Sequence, residues 1–307
     1  MFDQIRDFFA RLFGENSQEA PVTVSERGIA APEEGPEDAA DLGEYTIISE
    51  EKAPPKARTV RARGIGTPEG LVGDTIELDD FVAPPPVQIT TPRFHWLLDN
   101  GHGSLQKGKR SPLFADGTQL EEWEFNRDVV KRMAKKLDEI GVQYHIVVPE
   151  DEVGSFLKER VARANNFVSP LDLKTIFVSV HANALGNGVW QNGAKGLEVW
   201  HFPGSNSGKR LASAFQRALM ETFPDRKDRG IKSHQSGSSK IFSVLRNTNM
   251  PAVLTENGFY TDEEEAAWLM TPEARQQIAD AHVAAIVKIE QEGWEEIEIY
   301  RPNMVIG

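Results

Sequence analysis

Several places in this 307-residue chain put a metal- or proton-handling side chain at the end of an apolar run. FHWLLDNGHG passes from apolar residues to Asp99 and then to His102, set between two glycines. FVSVHAN delivers His181 and Asn183, and AVLTEN delivers Glu256. Glu121 and Glu122 open an amphipathic stretch between the first two of these runs. Two imidazoles and one carboxylate suffice for a zinc site with three protein ligands and an open fourth position. A second carboxylate that does not bind the metal can then serve as general base. On this reading the ion activates water and polarises a carbonyl, while Glu256 takes the water's proton and passes it to a departing amine. With no cysteine in the chain, any metal ligands must be His, Asp or Glu. The residue types alone leave Glu121 and Glu122 as rival ligands, because acidic residues at a helix start also suit the helix dipole. They also allow Glu256 a plainer role as the ion-pair partner of Arg246.

The elements needed to position these groups follow from periodicity. FHWLLDN, VQYHIVV, LKTIFVSVHAN, GLEVWHF, IFSVLRN and PAVLTENGF read as strands. Helices are predicted over 121–140, 152–167, 207–223 and 272–292, the first opened by a Thr118/Glu121 capping box and closed by Gly141. Gly204-Ser205-Asn206-Ser207-Gly208 reads as a loop followed by a helix cap. Strands alternating with helices predict an α/β domain, a twisted, mostly parallel or mixed sheet flanked by helices. Parallel strands bring their carboxyl ends to one edge, where ligands bind. His201 and His234 could reach a cleft, whereas His95, His145 and His282 read as structural or surface residues. Asn126 and Asn183 read as groups that orient backbone or ligands. The tail from Trp294 allows one short edge strand, IEIY.

The rest of the chain reads differently. Residues 15–90 hold half of the prolines and carry 16 Asp and Glu against 6 Lys and Arg, a balance of −10 within a total of −13. This composition predicts an extended or disordered acidic linker, with EYTIISE and GDTIELDDFV as candidate added strands. Residues 1–14 place Phe2, Ile5, Phe9, Leu12 and Phe13 at helical spacing, an amphipathic helix suited to docking on a protein partner. Their near-zero local charge argues against contact with an anionic membrane. The domains expected are therefore a docking helix (1–14), a linker (15–90), a catalytic domain (91–293) and a tail (294–307). The net negative charge argues against a nucleic-acid partner. No run approaches membrane-spanning length, and Asp3 and Asp7 stand where a secretion signal needs basic residues.

The strand-end GHG, the helix-opening glutamate four residues before Asn126, SVHAN and PAVLTENGF together resemble the zinc-dependent N-acetylmuramoyl-L-alanine amidases. The resemblance covers residues 94–291, with weaker echoes in LKERVARAN, RGIK and VLRNTNMP. It implies a twisted mixed sheet flanked by helices, zinc held by His102, Glu122 and His181, and Glu256 as the catalytic glutamate. The substrate it implies is peptidoglycan, cut at the amide between the lactyl group of N-acetylmuramic acid and L-alanine to release stem peptides. The chain departs from the family pattern at Ser104, at VVPEDE after the second strand, and in a basic loop with Lys107, Lys109 and Arg110 that could meet a peptide carboxylate. A peptidoglycan-binding module without activity and another zinc amidohydrolase, such as a carboxypeptidase, are the competing readings. A chain made in the cytoplasm without a signal, acting on the cell wall, implies delivery by another route, such as a phage or injection particle.

Overall fold

The computed structural model describes residues 87–302, apart from 154–155 and 187. The amphipathic stretch 1–14, the linker up to residue 86 and its two candidate strands lie outside the described residues.

Among the described residues there are six strands: β1 (Phe94–Asn100), β2 (Gln143–Ile146), β3 (Lys174–Asn183), β4 (Leu197–His201), β5 (Asp228–Lys232) and β6 (Ala252–Phe259). They form one sheet in the order β2-β1-β3-β6-β4-β5. The first four in that order run parallel, β4 is antiparallel to β6, and β5 runs parallel to β4. Strands β1 and β6 are buried along their whole length, which is why their sequences read as unbroken apolar runs rather than alternating ones.

The helices are α1 (Glu122–Ile140), α2 (Phe156–Asn166), α3 (Asn206–Thr222), α4 (Ser243–Asn247), α5 (Glu263–Leu269) and α6 (Pro272–Glu292). Successive strand residues point to opposite faces, and two cores follow. Trp96, Leu98, Val178 and Val253 pack with α1, α3 and α6. Leu97, Phe177 and Leu254 pack on the other face with Val161 and Ala164 of α2 and Val244 and Leu245 of α4.

Several local signals act as the sequence implies. Gly141 closes α1 in a left-handed conformation, φ 79°. Ser205 caps α3 by accepting the Gly208 amide at 3.0 Å. Thr271 and Pro272 start α6, the threonine accepting from Ala274.

Other elements differ from expectation. The Thr118/Glu121 capping box does not form: Thr118 donates instead to Asp116, and the Glu122 amide donates to the Lys109 carbonyl. The incoming loop bridges at Arg110 and Glu121 and so supplies the partner that a cap would have provided. IFSVLRN is not a strand. Its core is α4, because β6 already has β3 and β4 on its two edges. The polar stretch DRGIK is the edge strand β5. IEIY is irregular, with Ile297 buried, its carbonyl held by Arg210, and Tyr300 donating to Asp228. Packing on the domain extends to Val87 and Ile89, the latter donating its amide to the Ile140 carbonyl. Among the described residues, no helix is long and apolar enough to cross a membrane.

Candidate metal centre and active-site cleft

β1 and β3 end side by side, and their carboxyl ends deliver the two histidines to the same edge of the sheet. Glu122, at the first turn of α1, reaches between them. Its Oε2 lies 3.1 Å from His102 Nε2 and its Oε1 lies 3.0 Å from His181 Nδ1. The two rings meet edge to face with centroids 4.7 Å apart, and one donor atom from each of the three residues lies within 4.8 Å of the others. The rival Glu121 is drawn away to Arg110.

His102 holds the left-handed backbone conformation, φ 65°. Its carbonyl accepts from Arg160 at 2.9 Å and Arg127 at 3.2 Å, and the Gly101 carbonyl accepts from Asn126 at 3.0 Å. These three bonds hold a conformation that costs a non-glycine residue roughly 1–2 kcal/mol. Gly101 lies against the His181 imidazole, and any side chain there would fall inside the ring. Gly103 faces the Glu152 carboxylate.

The outer partners fix which ring nitrogens face the glutamate. Asp99 is fully buried and paired with buried Arg160. A paired carboxylate can only accept, so Ser179 Oγ donates to Asp99 Oδ2 at 2.5 Å and accepts from His181 Nε2 at 3.1 Å. On the other ring, His102 Nδ1 donates to Gln106 Oε1 at 2.7 Å. Both rings therefore present a lone pair toward Glu122. Burial pushes the His181 imidazole below its ordinary value, which favours this neutral, ligating form. Burial on its own would raise Glu122; protonated rings would override it by charge and hydrogen bonding, His102 foremost, and hold the carboxyl well below the usual range. Two lone pairs and a carboxylate aimed at one another repel unless a cation lies between them. The donor set, two imidazoles and a carboxylate, suits zinc, and the bonds behind it are the outer support that zinc ligands need.

Glu256 stands beside His181 across β3 and β6, the two being directly paired in register. It is 7% exposed and its Oε2 has no hydrogen-bond partner among the described residues. Burial, then the charges of Glu122 and Glu198, push it well above the usual carboxylate range, with Lys109 opposing. Arg246 is not its partner, since it donates to the Ser238 carbonyl. Glu198 comes from the neighbouring strand, opposite Glu256. It is held by Arg229 at 2.6 Å, by Asn183 and by the Trp200 indole. Behind the site Asn257 donates to the His181 carbonyl at 2.9 Å. Gly258, φ 97°, turns the strand end where a side chain would crowd Glu265 and Trp268.

The three candidate ligands and Glu256 line one cleft of about 350 Å³. Its polar wall carries His102, Glu122, His181, Glu256, Asn183 and Tyr260, and its apolar wall Phe156, Leu157 and Phe242. His201 lines a separate cavity with Lys209 and Arg229, and His234 packs against Trp200 and Phe242. His95 and His145 pack against Phe167. His282 is buried between Thr255 and the Ile278 carbonyl. The roles of Asp99, Arg160, Ser179, Gln106 and Glu198 are not evident from sequence, although Arg160 falls in the LKERVARAN echo.

Comparison with known proteins agrees with this arrangement. The endolysin of Bacillus phage SPP1 is 33% identical over 197 residues, covering 62% of this chain and 64% of the endolysin. N-acetylmuramoyl-L-alanine amidase LytC of Bacillus subtilis is 32% identical over 185 residues, which is 60% of this chain and 33% of LytC. The chain thus spans less than two-thirds of the length of either relative. Among solved structures, the N-acetylmuramoyl-L-alanine amidase of Clostridium difficile 630 superposes with a TM-score of 0.54 at 28% identity, covering 66% of this chain and 99% of that one. AmiC2 of Nostoc punctiforme gives 0.53 at 29% identity, with the same coverage. The family model for N-acetylmuramoyl-L-alanine amidase matches residues 97–288, from within β1 to within α6, and so takes in both histidines, Glu122 and Glu256. By that match the chain belongs to the N-acetylmuramoyl-L-alanine amidase family.

Proposed function

We propose that this chain is a zinc-dependent amidase that cleaves the bond between N-acetylmuramic acid and L-alanine in peptidoglycan, releasing stem peptides. His102 Nε2, His181 Nδ1 and a Glu122 oxygen are the ligands, and Glu256 is the general base and acid. The observation that carries this reading is the Glu122 carboxylate lying 3.0 and 3.1 Å from two imidazole nitrogens, with an unpartnered Glu256 oxygen in the same cleft. A pure binding module has no use for that combination. The family match supports the choice of amide over a carboxypeptidase bond.

A zinc ion held there supplies Lewis-acid polarisation of the scissile carbonyl and a lowered pKa for the attacking water. The chain's own groups do the rest. Glu256 Oε2 accepts the water's proton as the water oxygen bonds to the lactyl carbonyl carbon. The same oxygen then returns the proton to the alanine nitrogen as the carbon–nitrogen bond breaks, giving a free peptide amine and a lactyl carboxylic acid that loses its remaining proton to solvent. Burial, with the charges of Glu122 and Glu198, makes Glu256 a strong proton acceptor, and a cation held by His102, Glu122 and His181 would oppose that rise. Leu157 and Phe242 provide an apolar wall for the substrate.

The test is metal analysis together with release of stem peptides from purified sacculi. Wild-type protein should hold one zinc per chain and release stems in a chelator-sensitive way. Glu256→Gln should keep the metal and release none. Bound metal without stem release from wild type would favour the binding module, and loss of a single terminal residue would favour the carboxypeptidase. The acidic arm and amphipathic start then serve as tether and docking segment, and the likeness to a phage endolysin supports particle-borne or lytic delivery to the wall.

A further inference from the structure

We propose that Lys109 reads a carboxylate on the leaving peptide, so that the cleft prefers muramoyl peptides with a free carboxylate near the scissile amide over their carboxamides. The inference rests on the amidase reading above and narrows its substrate.

Lys109 lines the same cleft as the proposed ligands and Glu256. Its backbone is anchored, because its carbonyl accepts the Glu122 amide at 2.9 Å and the next residues bridge to the start of α1 through Arg110–Glu121 and Ser111–Leu120. The ammonium therefore extends from a fixed base that adjoins a proposed metal ligand. It forms no ion pair among the described residues. The two other candidate cations are committed: Arg110 to Glu121, and cleft-lining Arg160 to Asp99 and to the Phe156 and His102 carbonyls. Lys107 is exposed and does not line the cleft.

Glu122 and Glu256 stand in the wall with Glu198 behind, and the cleft's other fixed cation, Arg160, is held by Asp99. A substrate carboxylate entering the cleft meets in Lys109 a cation that has no acidic partner among the described residues. Phe156, Leu157 and Phe242 line the same cleft and suit a carbon skeleton. An ammonium on a flexible stem meets a carboxylate as a point charge and does not demand fixed geometry. Lys109 also acts on Glu256; a purely electrostatic role of that kind would affect all substrates alike.

The experiment compares zinc-loaded wild type, Lys109→Met and Lys109→Arg. The substrates are two synthetic N-acetylmuramoyl-L-alanyl peptides that differ only in a carboxylate or carboxamide on the second residue. Wild type should favour the acid by about tenfold in kcat/KM, the scale of one charged hydrogen bond. Lys109→Met should bring that ratio close to one, mainly through KM for the acid, and Lys109→Arg should retain it. A wild-type ratio near one, or equal losses on both substrates in Lys109→Met, would overturn the proposal. If zinc-loaded wild type cleaves neither peptide nor sacculi, the amidase reading itself is what fails.

Discussion

Gly101 lies against the imidazole of His181, so close that the ring occupies the space a Cβ would need. The first glycine of GHG therefore serves the histidine of the neighbouring strand rather than His102. Gly101→Ala should displace His181 from Glu122. We expect zinc content to fall and stem release to drop about a hundredfold, the scale of an ångström-sized misplacement in an active site, with the far-UV spectrum unchanged. Metal analysis beside circular dichroism checks this.

The Asp99–Arg160 pair is buried on both sides, which makes it sensitive to loss of one partner. Arg160→Met leaves a buried carboxylate without its counter-charge and should cost about 3–5 kcal/mol, read from the urea midpoint. Ser179→Ala should be milder in stability but weaken zinc binding about 10–100-fold, because His181 loses the group that sets its tautomer. Competition with a chromogenic chelator measures that affinity.

On the proposed mechanism, Glu198 bears on the proton chemistry through its charge beside Glu256. Glu198→Gln removes a negative charge next to Glu256 and frees Arg229, and both changes lower the Glu256 pKa. The acid limb of the kcat/KM profile should therefore move to lower pH. A limb that stays in place or moves up would show that Glu198 does not act on the base.

His282 gives a separate acid-sensitive term in stability. Burial pushes it down to about 4 in the folded chain, against about 6.5 when unfolded. Between those values only the unfolded state takes the proton, so stability falls as pH drops through that window, by up to about 3 kcal/mol. Above about 6.5 neither state is protonated and the contribution is level. His282→Gln should flatten this part of the slope in urea unfolding across pH 4–7.

Much of this design is readable from local sequence, and the physical reasons for the exceptions are specific. FHWLLDN, LKTIFVSVHAN and PAVLTENGF are visible because central parallel strands are apolar on both faces, and their polar ends mark the edge where ligands gather. DRGIK is hidden because an edge strand with few buried residues carries no such pattern. IFSVLRN has strand-like composition, but whether it pairs depends on a vacant sheet edge, which composition does not report. Residue types alone cannot tell Glu122 from Glu121; the resemblance's register picks Glu122, and the fold adds the loop bridge that draws Glu121 to Arg110. Arg160 and Asp99 are 61 positions apart, and Glu198 faces Glu256 only because β4 runs antiparallel. Both relationships belong to topology rather than to any motif.

The two imidazoles turn different atoms toward Glu122, Nε2 from His102 and Nδ1 from His181. Nδ1 is the nearer of the two to its own main chain, so the strand-borne ring has a short reach and the loop-borne ring a long one. Replacement amides should mirror that difference in length. Asparagine is the closer mimic at 181 and glutamine at 102, and exchanging the two would leave each oxygen a bond too near or too far.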